Sequence, residues 1–345
     1  MKILDPLPNP KILSLLMTLQ CTAECKHCGT LSSPRVKGRL AADVARDLIR
    51  QAKALDYDSV VFTGGEPTLY GKELFELIEF ADSLSLPTRI VTNGHWAKNL
   101  EAAMEQTHRF KQAGLKEINF STGDEHVKFV DINQIIWGIR AALTAGMPVA
   151  VMIEVVSENS VTKSSLLAEP LLCQLISTAE LELITFSESP WMPLDEKQLE
   201  HYPEGLAANA ANISRRLGCD SVINTTTVLA DGKIMACCGL GTRTIPELEI
   251  GSVFEDTLAT VRQRAESDFL KRWIRNEGPE RILQWAATKD SGIKWEDQYA
   301  HRCQACKRLY TDPAVRAAIR AHHEEKILDV LFSEYYLYNF IPAEA

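Results

Sequence analysis

Residues 12 to 28 read I-L-S-L-L-M-T-L-Q-C-T-A-E-C-K-H-C: an apolar run that ends in three closely spaced cysteines, Cys21, Cys25 and Cys28. A short apolar run of this kind fits a strand buried in a sheet. The thiols after it sit on one short loop and can wrap a metal or a cluster from one side. Zinc in a structural site takes four protein ligands, so a fourth group from elsewhere would keep zinc open.

Similar runs recur at Ser59–Thr63, Thr88–Thr92, Glu117–Ser121, Pro148–Val156 and Leu181–Ser187. Helical patterns separate them, near 41–55, 71–84, 99–113, 132–145 and 164–179. Val44, Leu48, Ala52 and Leu55 share one helical face. Strict β/α alternation implies a parallel sheet with right-handed crossovers. Six strands predict a partial (β/α)6 TIM-like barrel, with functional residues in the loops after the strands. The alternation stops near S-P-W-M-P at 189–193. Residues 197–217 look helical and would bridge to a second domain. There, Val222–Leu229 and Lys233–Ala236 flank Asp231-Gly232, a hairpin signal. Helical patterns resume at 256–275 and 313–338.

The chain has 345 residues, enough for about two domains. Its net charge is -9, and its richest basic stretch, Arg262 to Arg275, is broken by Glu266 and Asp268, so no nucleic-acid partner is expected. No apolar run is long enough to span a membrane, and the N-terminus does not look like a signal peptide. A cytoplasmic location is expected. Nine cysteines in that setting point to metal or redox chemistry rather than disulfides.

The loop after the second strand reads T-G-G-E-P, Thr63 to Pro67. Its glycines allow close backbone approach and Glu66 supplies an anion, a combination suited to an amino-acid-like ligand. The third strand ends in T-N-G with Asn93, and the fourth in S-T-G-D with Ser121.

C-x3-C-x2-C after strand one, with G-G-E-P after strand two, strongly resembles the radical S-adenosylmethionine (SAM) superfamily, over roughly residues 10–190. The resemblance implies that Cys21, Cys25 and Cys28 hold three irons of a [4Fe–4S] cluster whose fourth iron is chelated by SAM. Reductive cleavage of SAM would then give a 5′-deoxyadenosyl radical that abstracts a substrate hydrogen, the cofactors carrying the radical chemistry. It also implies an electron donor of flavodoxin or ferredoxin type. Gly64, Gly65 and Glu66 match the segment that receives the SAM amino group. His27 matches a position near adenine, and Ser121 one that contacts ribose or carboxylate. Glu154 on strand five and Asn93 are further candidates for the SAM site, although inward packing and an N-G turn also account for them.

Later in the chain, Cys219, Cys237, Cys303 and Cys306 bring two ligands from a hairpin together with a C-x2-C pair. Zinc or an iron–sulfur cluster fits four such thiolates. G-K-I-M-A-C, Gly232 to Cys237, resembles the G-x4-C element of SPASM and twitch domains, and I-G-S-V-F-E-D-T-L from Ile250 resembles the segment after that element. Too few cysteines remain for a full SPASM domain. The resemblance therefore implies a small α+β twitch-type domain with one auxiliary [4Fe–4S] cluster. The stretch W-A-A-T-K-D-S-G-I-K-W at 285–295 is an insertion relative to that pattern, suited to a substrate wall. The expected organisation is an N-terminal segment at 1–11, the barrel at 12–190, a bridge at 191–218, the auxiliary domain at 219–312 and a C-terminal helix at 313–345.

Three further residues are candidates for catalysis. Cys238 is surplus to the four-ligand count and suits a hydrogen-atom donor or a packed thiol. His126 comes after strand four and suits a proton acceptor. Glu188 ends strand six at the barrel mouth. Cys173, on an apolar helical face, reads as a buried small hydrophobe.

The expected function is hydrogen abstraction from a substrate, with oxidative modification or crosslinking of a ribosomally made peptide as the leading outcome. A dehydrogenase or epimerase of a small carbohydrate-type metabolite is the alternative within the family. A non-catalytic iron–sulfur or zinc scaffold is the alternative outside it. Because the barrel pattern begins at residue 12, an N-terminal peptide-recognition domain is not expected, which leaves that task to a separate protein.

Overall fold

The computed structural model describes residues 10–194 and 202–339. Its first half alternates as expected: β1 (Ile12–Thr18), α1 (Ala42–Ala54), β2 (Ser59–Gly64), α2 (Lys72–Ser83), β3 (Thr88–Thr92), α3 (Leu100–Gln112), β4 (Glu117–Thr122), α4 (Ile132–Thr144) and β5 (Val149–Val155). Three short helices come next, α5 (Lys163–Leu167), α6 (Pro170–Leu175) and α7 (Thr178–Leu181), and then β6 (Ile184–Pro190). β1 to β6 are parallel and pair in chain order.

Period-two alternation decides which side chains face the helices and which face inward. On β1, Leu13, Leu15 and Met17 are fully buried, whereas Ile12, Ser14 and Leu16 line a cavity. Val60 and Phe62, Ile90, Ile118 and Phe120, and Val151 and Ile153 continue the buried set on β2 to β5. Their partners across the pleat, among them Thr63, Val91, Ser121 and Glu154, line the same cavity. The inner face of the sheet is therefore the site wall.

The single helix expected at 164–179 is broken into α5, α6 and α7. Pro170 cannot donate to a preceding turn and starts α6 instead, and Ser177 caps α7 through the Glu180 N–H. The break exposes Cys173, contrary to its expected burial, because α6 buries only Leu172.

The second half is less separate than expected. β7 (Thr225–Val228) pairs in parallel with β1, from Ile12↔Thr225 to Leu15↔Val228. β8 (Lys233–Met235) and β9 (Glu249–Ser252) add antiparallel, so the hairpin extends the barrel sheet in the order β6-β5-β4-β3-β2-β1-β7-β8-β9. Helices α8 (Leu258–Ser267), α9 (Phe269–Glu277), α10 (Pro279–Lys289), α11 (Arg302–Thr311), α12 (Pro313–His322) and α13 (Glu324–Asn339) complete the fold. Asp268 divides the pattern at 256–275 by capping α9, its carboxylate accepting from the Lys271 N–H at 3.1 Å.

Part of the expected bridging helix, 197–201, lies outside the described residues. The remainder, 202–217, holds turns and one 3-10 turn at Ile213–Arg215 instead of a helix. The reason is local competition for the backbone: Asn209 and Asn212 accept hydrogen bonds from backbone N–H groups within this stretch. The stretch 285–295 does not line the cavity, contrary to expectation. Its Trp285 packs edge-to-face on Trp273 of α9 at 4.7 Å, and its Ile293 and Trp295 are buried. Among the described residues, no helix is long and apolar enough to cross a membrane.

Candidate active site

The β2 loop is sewn to the backbone that leads into the first cysteine loop. The Gly65 N–H donates to the Thr18 carbonyl at 2.7 Å, and the Glu66 N–H to that of Gln20 at 2.9 Å. A methyl at Gly65 would stand 2.2 Å from the Gln20 oxygen. Gly65 is therefore required by the approach of one backbone to another, and the T-G-G-E-P stretch sets the position of the loop that begins at Cys21.

Glu66 differs from its expected part. It is fully buried and is not in the cavity wall. One carboxylate oxygen accepts from the Thr68 N–H and hydroxyl and from the Thr92 hydroxyl at 2.8 Å, and the other from the Asn93 N–H at 2.9 Å. A buried carboxylate needs such donors. Asn93 carries the chain of contacts onward: its amide N–H donates to the Thr22 hydroxyl at 3.0 Å and reaches the Cys21 sulfur at 3.6 Å. Glu66 and Asn93 together hold the cysteine loop.

Cys21, Cys25 and Cys28 are all free thiols on one wall of a cavity of about 430 Å3. The Cys21 sulfur accepts from the Ala23 N–H at 3.4 Å, and that of Cys28 from the Ser32 N–H at 3.5 Å. Burial pushes the Cys21 thiol up to about 11, helped by the Glu66 and Cys28 charges. Burial also raises Cys25, with Glu154 the main charge acting the same way. Only added positive charge would hold these groups as thiolates. Gly64, Gly65, Asn93, Ser121, Glu154, His126 and Cys238 line the same cavity.

Opposite the β2 loop, the His126 ring nitrogen Nδ1 lies 2.7 Å from Glu154, and the ring meets Trp191 edge-on at 6.1 Å. Glu154 also accepts from the Glu125 N–H. Glu125 in turn accepts from the Lys26 N–H at 3.0 Å, which joins the β4 loop to the cysteine loop. The expected His27 is half-buried at φ 58° and lies outside the cavity wall. Glu188 is also outside it. Its carboxylate accepts from the Lys163 N–H at 3.1 Å and caps α5, because strand alternation turns it to the outer side.

Sequence reasoning missed Arg89, Trp191 and Arg243, which all line the cavity. Arg89 stands in phase with Val91 on β3, so a charge at an inward strand position was the available signal. The Arg243 guanidinium donates to the Thr30 carbonyl and ties the first cysteine loop to the segment after β8. Nothing in the sequence around Arg243 signals that contact.

Cys219, Cys237, Cys303 and Cys306 gather behind this segment. Each thiol is raised chiefly by burial, Cys237 to about 12, and the charges of neighbouring cysteines add to the rise in Cys237, Cys303 and Cys306. A methyl at Gly239 would stand 2.8 Å from the Cys303 sulfur and 3.7 Å from that of Cys237, so the bare glycine lets the two thiols face each other. His301 caps α11, accepting from the Cys303 N–H at 3.1 Å. Its imidazole is held down at about 4 by burial, with Arg302 adding to the effect. Cys238 points the other way: it is exposed on the cavity side and hydrogen-bonds the Ser221 hydroxyl at 3.2 Å. Among the described residues, no three His, Cys, Asp or Glu side chains converge tightly enough for a single metal ion.

Residues 15–159 match the family model described as the Radical SAM superfamily. YydG of Bacillus subtilis (strain 168), named for peptide biosynthesis, is 29% identical over 126 residues, which are 36% of this chain and 40% of that protein. Mycofactocin maturase MftC of Mycobacterium tuberculosis (strain ATCC 25618 / H37Rv) is 30% identical over 88 residues, 26% of this chain and 22% of that one. The chain thus matches less than half the length of these curated relatives. In fold it is similar to anSMEcpe solved with bound AdoMet and Cp18Cys peptide, at 13% identity and a TM-score of 0.53, over 90% of this chain and 99% of that one. The cysteine loop at the mouth of the parallel sheet and strands β2 to β5 all fall within the matched residues, so residues 15–159 are similar to a radical SAM domain.

Proposed function

We propose that this chain is a radical SAM enzyme that removes a hydrogen atom from a residue of a peptide substrate, and that Cys238 returns one. The observation that carries this reading is the Cys238 thiol, which opens onto the same cavity as Cys21, Cys25 and Cys28. The name of YydG supports a peptide as the substrate class.

The donor set fits the cofactors. Three free thiols on one loop, two of them receiving backbone N–H groups, suit the ligation of an iron–sulfur cluster. Gly64, Gly65, Asn93, Ser121 and Glu154 line the space where SAM would lie. When bound, cluster and SAM supply the radical that takes the substrate hydrogen. Glu66 acts at one remove, by fixing the cysteine loop. His126, held by Glu154, presents the rest of its ring to the cavity and orients the bound substrate.

In the returning step the Cys238 S–H bond breaks homolytically and its hydrogen atom closes the substrate radical. The sulfur radical then regains an electron from the reductant, a flavodoxin or ferredoxin-type donor. Its proton comes through the Ser221 hydroxyl, 3.2 Å away. The outcome is inversion of a centre without net oxidation.

A second reading, net oxidation or crosslinking of the peptide, is favoured by Cys219, Cys237, Cys303 and Cys306. Four buried thiols whose charges act on one another suit an auxiliary [4Fe–4S] cluster of twitch type, which would accept the second electron. The two readings separate in D2O, with the anaerobically reconstituted enzyme and a peptide that it turns over. Inversion leaves one deuteron on the product, and Cys238→Ala loses the deuteron while SAM is still consumed. A product lighter by a pair of hydrogens, formed alike by wild type and Cys238→Ala, would overturn the hydrogen-donor role.

A further inference from the structure

Helix α11 places Cys303, Cys306 and Tyr310 along one face, since three-, four- and seven-residue spacings align on a helix. Tyr310 is 6% exposed, and its phenolic O–H is buried with no hydrogen-bond partner. A buried tyrosine O–H normally finds a partner, and leaving one without is costly. Tyr310 belongs to the same buried cluster as Cys237, against which Cys219 and Cys306 pack.

We propose that Tyr310 is a positioning residue for the four-cysteine site: its O–H donates to a sulfur at the Cys306 corner of the cluster held there and raises that cluster's reduction potential. The inference rests on the reading that these cysteines hold an iron–sulfur cluster. A hydrogen bond to a cluster sulfur stabilises the more negative, reduced state more than the oxidised one, and such bonds are among the groups that set cluster potentials. The same contact satisfies the one polar side-chain atom of Tyr310 that is otherwise stranded.

The test uses the full chain with Cys21, Cys25 and Cys28 all changed to Ala, loaded anaerobically with iron and sulfide, so that only the C-terminal cluster contributes. Its potential is tracked by a redox titration monitored by electron paramagnetic resonance. Tyr310→Phe is expected to shift the potential down. Incorporation of 3-fluorotyrosine at position 310, which keeps the ring and makes the O–H a stronger donor, is expected to shift it up. If Tyr310→Phe fails to fold, the fluorinated variant decides alone. A potential unchanged by fluorination overturns the role of Tyr310. Absence of any iron–sulfur signal in the triple-alanine parent instead removes the cluster reading, and the inference with it.

Discussion

Replacing Gly65 with Ala tests whether the β2 loop exists to hold the cysteine loop. The added methyl would sit 2.2 Å from the Gln20 oxygen and 2.6 Å from its carbonyl carbon. Ordinary carbon–oxygen contacts begin near 3.3 Å, so the two backbones must part by about 1 Å. That separation weakens the bonds from Gly65 N–H to Thr18 and from Glu66 N–H to Gln20. Forced overpacking costs about 1–3 kcal/mol, and each stranded buried backbone group about 1–3 kcal/mol more. The expected loss is about 3–9 kcal/mol, a large share of the roughly 5–15 kcal/mol that stabilises a typical protein. Gly146→Ala is the control: its site is open within 4 Å and its φ is 62°, so only conformational strain of about 1–2 kcal/mol applies. The readouts are the unfolding midpoint and the iron held at the first cysteine loop. Gly65→Ala is expected to fall well below the control in both. An unfolding midpoint equal to the control's, with full iron loading, would refute the argument.

Three further substitutions test neighbouring contacts. Glu66→Gln turns an amide N–H toward the Asn93 N–H, so it should cost about 2–5 kcal/mol and weaken iron retention at the first loop before any SAM is added, read by thermal unfolding and iron assay. Gly239→Ala drives a methyl into the Cys303 sulfur and should lower iron at the C-terminal site while the first loop loads normally, read in the Cys21, Cys25 and Cys28 triple-alanine background and in the wild type. Glu188→Ala removes only an exposed cap on α5, so it should leave SAM cleavage unchanged and lower stability by at most about 1 kcal/mol.

The barrel half is legible in the sequence because each strand and helix carries its own period. β1 to β6 and α1 to α4 fall within a few residues of the apolar runs and helical faces, and the Asp231-Gly232 hairpin forms as its turn residues dictate, with Gly232 at φ 88°. The cysteines are legible because their spacing is rare and chemical. Three other features depend on contacts distant in sequence. The pairing of β7 with β1 joins strands more than two hundred positions apart, so nothing local signals that the second half extends the first sheet. The G-G-E-P pattern suggests a ligand-facing anion at Glu66, but Thr68, Thr92 and Asn93 satisfy its oxygens, and only the folded β3 end reveals that. Strand order alone puts Glu188 at the mouth, while one step of the pleat turns it outward. Local breakers also matter: Pro170 and the asparagines at 209 and 212 override helical patterns that periodicity alone supports.

The most direct measurement is SAM turnover by the anaerobically reconstituted chain with dithionite as reductant. The account predicts formation of 5′-deoxyadenosine and methionine, and its loss when Cys21, Cys25 and Cys28 are changed to Ala. A protein that binds its full complement of iron at the first loop, yet forms neither product from SAM, would contradict it and leave an iron–sulfur scaffold in its place.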